Sequence, residues 1–296
     1  MFDKKKLKLY TKANGDKMKI KITADSTCDI NEEIVKKYNF SLMPLNIIFE
    51  DNIYRDGIDI TTDEIFGLVK KYNKLPRTSA NNPVEYEEFF KKEVEGYDAL
   101  IHFSLSSKIS SSNQNASLAA EEFKGKVFAV DSASLSTGIA LQMIYAHNLA
   151  EQGLSASEIY EKINERRDKI QASFVIETLT YLYKGGRCSR LAMFGANLLK
   201  IRPVIALKDG KMDVDKKLRG RYDDVVMEYV EYTLEKHSDR DNTCCFLTYS
   251  SLDDKLVEKI KERISPLFDK IYITRAGTTV ASHCGPNTIG ILFYNN

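Results

Sequence analysis

Several features that define common function classes are missing from this sequence. The 296 residues include no tryptophan, and 43 basic against 42 acidic residues leave a formal net charge of +1. A near-zero charge provides no positive field to attract nucleic acid, so no nucleic-acid partner is expected. No apolar run approaches the roughly 20 residues that span a bilayer, and the first residues lack the apolar segment of a secretory signal. These absences predict a cytoplasmic protein with no stable membrane insertion.

Metal and cofactor motifs are missing as well. The chain has no GxGxxG after a strand and no GxxxxGK[ST], HExxH or GxSxG motif. Its few cysteines show no CxxC spacing and its histidines are scattered, which favours reduced thiols over a disulfide framework or a zinc site. These residues are Cys28, Cys188, Cys244, Cys245, Cys284, His102, His147, His237 and His283. We predict no metal and no cofactor.

The first half of the chain alternates short β-branched runs with helical patterning. The runs are Ile20–Ala24, Leu45–Phe49, Ala99–Phe103 and Val127–Val130. This alternation predicts a mainly parallel sheet flanked by helices. Two pairs predict helix starts, because Asp29 stands three residues before Glu32 and Thr61 three before Glu64.

The predicted strands and helices of the second half follow a different order. It contains predicted strands at Ala172–Ile176, Val204–Leu207, Cys245–Tyr249, Lys270–Thr274 and Ile289–Tyr294, and predicted helices at Asp223–His237 and Leu252–Ile264. The pair Asp209-Gly210 predicts a hairpin, and therefore a mixed sheet. We predict an α/β protein with two domains, residues 18–167 and 168–296, after a flexible extension at residues 1–17.

Four hydroxyl-rich segments lie after predicted strands or in loops. They are DSTCD (Asp25–Asp29), PRTSANNP (Pro76–Pro83), SLSSKISSSN (Ser104–Asn113) and ASHCGP (Ala281–Pro286). Polar groups after parallel strands can converge at one edge of a sheet. The first segment is read more simply as a helix cap, with Asp29 at the N-cap. In the third segment, anion binding at the helix start and a merely polar loop are equally supported.

Two further features concern a histidine and a glycine-arginine segment. Gly-Pro in the fourth segment predicts that His283 lies on a constrained turn before the final strand, although a single histidine is usually structural. In Tyr183–Arg190, paired glycines would allow the backbone to approach a ligand closely, and Arg187 offers donors suited to carboxylate or phosphate. A glycine helix C-cap followed by surface arginines is the alternative.

Taken in chain order, these segments resemble the DegV family of bacterial fatty-acid-binding proteins, from about Ile20 to Phe293. Seven ordered motifs carry the resemblance, which makes chance agreement improbable. They are DSTCD (Asp25–Asp29), TS (Thr78–Ser79), SSxxS (Ser106–Ser110), VDS (Val130–Ser132), YLYKGGRCSR (Tyr181–Arg190), KIRPVI (Lys200–Ile205) and HCGP (His283–Pro286). The resemblance implies a fatty acid buried in a pocket between the two domains.

The resemblance also implies roles for individual residues. Thr78 and Ser110 would hydrogen-bond the carboxylate, with His283 near the head group and Arg187 acting through water. Ser79 and Ser111 neighbour these positions and complete the candidate set. The implied partner is an ATP-dependent fatty acid kinase that forms an acyl phosphate for phospholipid synthesis. Arg202, Arg219 and Arg221 would dock this partner, unless they form only a solvated basic face.

Two departures from the family pattern affect the predicted site. Ala80-Asn81-Asn82 stands where Gln-Pro is usual after TS, and Ser110-Ser111-Ser112 stands where Ser-Gly-Thr is usual. Replacing glycine by Ser111 would restrict the backbone if this position required a positive φ. Ser111 could then reshape the head-group pocket or act as a ligand itself.

Two other functions fit the same residue types. In an acyl esterase or thioesterase, Ser110 or Ser111 would be the nucleophile and His283 its base. In a regulatory sensor, lipid loading would change a contact with another protein. The carrier is favoured because the sequence shows neither a nucleophile elbow nor an identifiable third acid.

Overall fold

The computed structural model of the chain describes residues 17–188 and 201–296, in which strands and helices alternate. The strands are β1 (Ile20–Asp25), β2 (Ser41–Met43), β3 (Asn46–Phe49), β4 (Asn52–Arg55), β5 (Arg77–Ser79), β6 (Ala99–Ser104), β7 (Val127–Asp131), β8 (Ile170–Ile176), β9 (Arg202–Lys208), β10 (Lys211–Leu218), β11 (Arg240–Tyr249), β12 (Ile271–Arg275) and β13 (Thr288–Asn295). The helices are α1 (Glu32–Tyr38), α2 (Thr62–Tyr72), α3 (Pro83–Glu93), α4 (Ser112–Ala120), α5 (Thr137–Glu151), α6 (Ala156–Arg166), α7 (Thr180–Gly185), α8 (Tyr222–Lys236), α9 (Asp254–Ile264) and α10 (Thr278–Cys284).

A parallel sheet forms the centre of the first half, in the order β2-β1-β6-β7. Strand β6 is buried at all six positions, which explains its continuous apolar run, since a parallel sheet is covered on both faces. The predicted strands β1, β6 and β7 and their parallel pairing are confirmed.

The prediction for Leu45–Phe49 is wrong in one respect. This run forms strand β3, but β3 lies outside the parallel sheet, at the centre of a separate antiparallel sheet ordered β4-β3-β5. The turn at Glu50-Asp51 reverses the chain at once into β4, and so short a connection can join only antiparallel strands. The small sheet matters for the site because it pairs Ile47 with Thr78.

The second half builds a mixed six-stranded sheet, in the order β10-β9-β8-β13-β11-β12. The hairpin predicted at Asp209-Gly210 is confirmed, because Lys208 pairs with Lys211 and both corner residues have positive φ, 49° and 74°. The predicted strands and both predicted helices, α8 and α9, are present with ends shifted by at most five residues. The mixed α/β architecture is therefore confirmed.

Helix α5 joins the two large sheets. It contacts β1 and β6 on one side and β8, β11 and β13 on the other. Ile139 of α5 accordingly shares one apolar cluster with Ile22 of β1 and Leu292 of β13. Every described strand before residue 167 lies outside the six-stranded sheet, and every one after it lies within. The proposed boundary between residues 167 and 168 remains a prediction.

Three remaining predictions concern the N-terminal segment, the cysteines and membrane insertion. Residues 1–16 of the predicted extension lie outside the described residues, and Lys17 pairs with Glu151 at 3.0 Å. Four of the five cysteines are buried and all five are free thiols, as expected for small core residues. Within residues 17–188 and 201–296, no helix has the length and apolar character needed to cross a bilayer.

Candidate functional site

A cavity of about 360 Å³ lies where α10, the serine-rich loop after β6 and the six-stranded sheet meet. The apolar residues in its lining are Leu45, Ala80, Leu105, Ile109, Leu135, Phe174, Leu182, Met212, Ala276, Val280, Cys284 and Leu292. The six predicted ligand-binding residues Thr78, Ser79, Ser110, Ser111, Arg187 and His283 all line the same cavity. Segments separated by up to about 200 residues in sequence therefore meet at one place.

Thr78 and His283 form the central polar contact. Thr78 comes from β5 and His283 from the last turn of α10, and their Oγ1 and Nε2 atoms are 2.7 Å apart. The prediction that His283 lies on a turn is wrong, because the helix continues to Cys284 and Gly285 follows it. Burial, with a smaller contribution from the Arg187 charge, lowers the pKa of His283 to about 4. Its imidazole is therefore neutral near pH 7.

Paired glycines bring α7 against this histidine. A Cβ atom on Gly185 would lie 2.5 Å from His283 Nδ1, so only glycine allows the helix to approach so closely. Gly186 ends α7 in the left-handed conformation, with φ of 71°, which confirms the glycine C-cap interpretation. Arg187 follows immediately, is exposed, and donates to the Gly185 carbonyl. It lies at the rim of the cavity.

The serine-rich loop after β6 is hydrogen-bonded to the β9–β10 hairpin. Ser106 Oγ donates to the Gly210 carbonyl at 2.7 Å, and a Cβ on Gly210 would lie 2.4 Å from the same oxygen. Ser110 then presents its hydroxyl at the cavity, 2.9 Å from Ser112 Oγ. Ser111 precedes α4 with φ of −82°, so the concern about a positive φ at this position is not supported. The side chain of Ser111 is exposed at the cavity wall.

Two buried carboxylates position α10, and sequence reasoning missed them. Asp29 Oδ1 accepts from Gly277 N, and Asp56 Oδ1 accepts from Thr278 N, both at 2.8 Å. The prediction of Asp29 as the N-cap of α1 is wrong, because Asn31 performs that role. The Thr61 capping box is confirmed. Asp29 has a φ of 53° and its side chain accepts from Ser136 and Gly277, which no local sequence signal indicated.

The charge distribution of the cavity favours an anion. Among the described residues that line it, Arg187 is a permanent cation, His283 can become one, and none is an aspartate or glutamate. Hydroxyl groups supply most of the remaining polar lining. Across the described chain, no group of three or more His, Cys, Asp and Glu side chains is arranged to hold a metal ion. The cavity can thus enclose an apolar chain and receive a negative group near Thr78 and His283.

The predicted docking arginines lie apart from the cavity lining. Arg202 is partly buried and donates to the Gly220 carbonyl, with its guanidinium 5.9 Å from the Tyr222 ring centre. Arg219 and Arg221 are exposed. Ser189, Arg190 and Lys200 of the sequence motifs lie outside the described residues.

Comparison with known proteins places this arrangement in a family. The model of the family described as "Uncharacterised protein, DegV family" matches residues 19–296. The chain belongs to the DegV family. A DegV domain-containing protein of Caldanaerobacter subterraneus is 29% identical over 283 residues, covering 93% of this chain and 98% of the relative.

Two DegV relatives have names that mention a ligand. A protein of Thermotoga maritima named fatty acid-binding protein is 29% identical over 288 residues, covering 92% of this chain and 96% of the relative. A Thermus thermophilus DegV protein, described in terms of its fatty acid binding, has a solved structure that superposes with a TM-score of 0.84 at 28% identity. That match covers 94% of this chain and all of the other. The DegV fold, with its parallel and mixed sheets, is thus shared.

Proposed function

We propose that this DegV protein binds a long-chain fatty acid in the cavity and presents its carboxylate to an ATP-dependent fatty acid kinase. The observation that supports this most is a cavity that combines many apolar lining side chains with Ser110, Arg187 and the Thr78–His283 contact. The relatives whose names mention fatty acid binding support the same ligand class. No cofactor is needed for this role.

The tail supplies most of the affinity in this proposal. Burying a chain of about 15 to 17 methylenes and methyls at about 0.8 kcal/mol each is worth roughly 12 to 14 kcal/mol before the costs of association. The apolar side chains of Phe174, Leu135 and Leu292 provide surface for such burial. The polar end then has only to select a carboxylate over other head groups.

The neutral state of His283 fits this selection. If the ring carries its hydrogen on Nε2, it donates to Thr78 Oγ1 across the 2.7 Å contact. Thr78 then keeps its own hydrogen for a ligand carboxylate. The same tautomer leaves Nδ1 as a bare acceptor facing Gly185, in agreement with its having no hydrogen-bond partner among the described residues. Arg187 at the rim adds long-range attraction for the anion.

The kinase assignment rests on the family motifs and on chemistry. A carboxylate held at the polar end, beside an exposed arginine, would be accessible to a second protein that brings ATP. Exposed Arg219 and Arg221, with Arg202 beside them in the fold, are the proposed docking surface. The use of ATP and the delivery of acyl phosphate to phospholipid synthesis would place the protein in the cytoplasm.

The hydrolase alternative has weaker geometric support. Ser110 Oγ contacts Ser112, whereas His283 Nε2 contacts Thr78, so serine and histidine are not paired as nucleophile and base. Among the described residues, no carboxylate contacts His283 Nδ1 to orient the ring. The sensor alternative uses the same cavity and differs only in the step after lipid loading.

A reconstituted kinase assay separates these functions. The oleate-loaded protein is mixed with fatty acid kinase and ATP, and acyl phosphate is trapped with hydroxylamine as a hydroxamate. We expect hydroxamate only when all three components are present, and less of it with Arg219→Glu/Arg221→Glu, which should leave oleate binding unchanged. Loaded protein that yields no hydroxamate would reject the kinase role and favour the sensor. Release of free acid from an acyl ester without kinase would favour the hydrolase.

A further inference from the structure

One carboxylate joins two loops that line the cavity. Asp131 is the last residue of β7, and its Oδ1 accepts from the backbone N–H of Ser107 at 3.1 Å and from that of Ala133 at 3.0 Å. Its Oδ2 accepts from the Ser107 hydroxyl at 2.6 Å. A carboxylate has no hydrogen to give, so the donor is fixed in all three bonds. Asp131 therefore joins the serine-rich loop after β6 to the loop between β7 and α5.

Both of these loops contribute to the cavity lining. The lining residues that they supply are Leu105, Ile109, Ser110, Ser111, Leu135 and Ser136. Asp131 itself lies outside the lining. Ala133 has a φ of 47°, which is unfavourable for a residue with a side chain, so the bond from its N–H to Asp131 supports a conformation that the chain alone disfavours. The same carboxylate thus fixes the positions of two parts of the cavity wall.

A short hydrogen-bonded turn connects Ser107 to Ser110. The Ser106 carbonyl accepts from the backbone N–H of Ser110 at 3.2 Å, which closes the turn around Ser107. Ser110 Oγ accepts from the backbone N–H of Ser112 at 3.1 Å, at the start of α4. Ser110 is therefore held on one side by a turn that Asp131 anchors and on the other side by the first residue of α4. Loss of the Asp131 carboxylate would remove one of these two supports.

We propose that Asp131 is a positioning residue, which holds the serine-rich loop so that Ser110 is in place to bind the carboxylate of the ligand. The inference rests on the proposed function, since it takes a fatty carboxylate as the ligand of Ser110. Asp131 acts through Ser107 and does not touch the ligand. Its negative charge would repel a carboxylate, so any affinity that Asp131 contributes must come from the geometry of the loop.

Two substitutions at Asp131 separate geometry from charge. Delipidated Asp131→Ala loses all three hydrogen bonds and should bind oleate about three- to tenfold more weakly than the wild type, because the loop must then be ordered when the ligand binds. Asp131→Asn keeps Oδ1 as an acceptor for both backbone N–H groups, so its affinity should stay within about twofold of the wild type. Equilibrium displacement of a fluorescent fatty acid measures both. Tighter binding in both variants would show that the charge acts on the ligand and would overturn the inference.

Double substitutions show whether the effect passes through Ser110. In a Ser110→Ala background, Asp131→Ala should change oleate affinity by less than about twofold. In a Thr78→Ala background its full effect should remain, because Thr78 lies on β5 and shares no hydrogen bond with the loop among the described residues. Equal losses in the two backgrounds would contradict a role through Ser110.

Two further variants make the test decisive. Asp241→Ala is the matched control, because Asp241 is also partly buried and accepts from a backbone N–H two residues ahead, that of Thr243 at 2.9 Å, but lies outside the cavity lining. Its oleate affinity should equal the wild-type value. Ser107→Ala loses only the 2.6 Å bond and should weaken binding by about two- to fivefold, which covers the case in which Asp131→Ala fails to fold. Unchanged binding in both Asp131→Ala and Ser107→Ala overturns the inference alone, whereas a wild type that binds no oleate overturns the proposed function.

Discussion

Among the residues that the structure describes, two threonine–histidine pairs have similar contacts and different surroundings. Thr23 Oγ1 lies 2.9 Å from His102 Nδ1, and Thr78 Oγ1 lies 2.7 Å from His283 Nε2. The first pair is fully buried in the parallel sheet, with the second ring nitrogen 3.3 Å from Asp25. The second pair lines the cavity. The contact itself therefore does not define a site. The deciding property is whether the pair still faces space that a ligand can occupy.

The largest expected difference between the pairs is in stability. His102 packs against three aromatic rings, with centre distances of 5.1 Å to Phe90, 5.4 Å to Tyr86 and 6.0 Å to Phe89. His102→Ala should lower the free energy of unfolding by about 2–4 kcal/mol, because it leaves a cavity in a closed core. His283→Ala should cost clearly less, since it enlarges an existing cavity. Urea unfolding of lipid-free protein measures both effects. Equal losses of unfolding free energy in the two variants would contradict this difference between the pairs.

The next difference is in ligand binding. Thr78→Ala should weaken oleate binding by about 1.5–3 kcal/mol, roughly 10- to 150-fold, because it removes a hydrogen bond to a charged group. Thr23→Ala is the matched control, and it should leave affinity unchanged while lowering stability. Fluorescent displacement gives the affinities. A loss of the same size in both variants would mean that Thr78 acts through the fold alone.

A third difference concerns pH. The pKa of His283 is about 4, below its ordinary value of 6.5, because burial and Arg187 disfavour the charged ring. The neutral ring therefore contributes stability that is complete above pH 6.5 and is lost as pH falls from 6.5 through 4. The wild type should lose stability relative to His283→Gln over that range. Urea midpoints at intervals from pH 7 to pH 4 follow the effect, and parallel curves for the two proteins would contradict it.

The smallest expected effect is that of Arg187. Replacing this exposed side chain by alanine removes a positive charge near His283, so the pKa of His283 should rise by a fraction of a unit. Oleate affinity should fall less than in Thr78→Ala, since solvent screens an exposed charge. NMR titration of the His283 ring measures the first effect. A pKa that stays constant would show that burial alone sets it.

Much of the fold could be predicted from the sequence, because apolar runs indicate where strands lie. They do not indicate which strand pairs with which. The position of Leu45–Phe49 in the small antiparallel sheet was not predicted for that reason. Ser111 and His283 show the same limit for local conformation. Ser111 has a negative φ although glycine is usual at this position in the family pattern, and His283 lies in a helix although Gly285-Pro286 follow it.

The candidate site was also predicted only in part. Its polar residues come from short motifs that can be read in order along the chain. The apolar wall could not be predicted, because Leu45, Phe174 and Leu292 come from distant elements and resemble ordinary core residues in sequence. The contact of Asp29 with α10 also escaped prediction, since its partner Gly277 lies 248 residues away.

Native mass spectrometry of the freshly purified protein, followed by denaturation and identification of released molecules, tests the central claim most directly. The account predicts one long-chain fatty acid per chain, and a Thr78→Ala/Ser110→Ala protein that retains much less of it. A wild-type mass equal to that of the bare chain, unchanged after incubation with C14 to C18 fatty acids, would contradict the account.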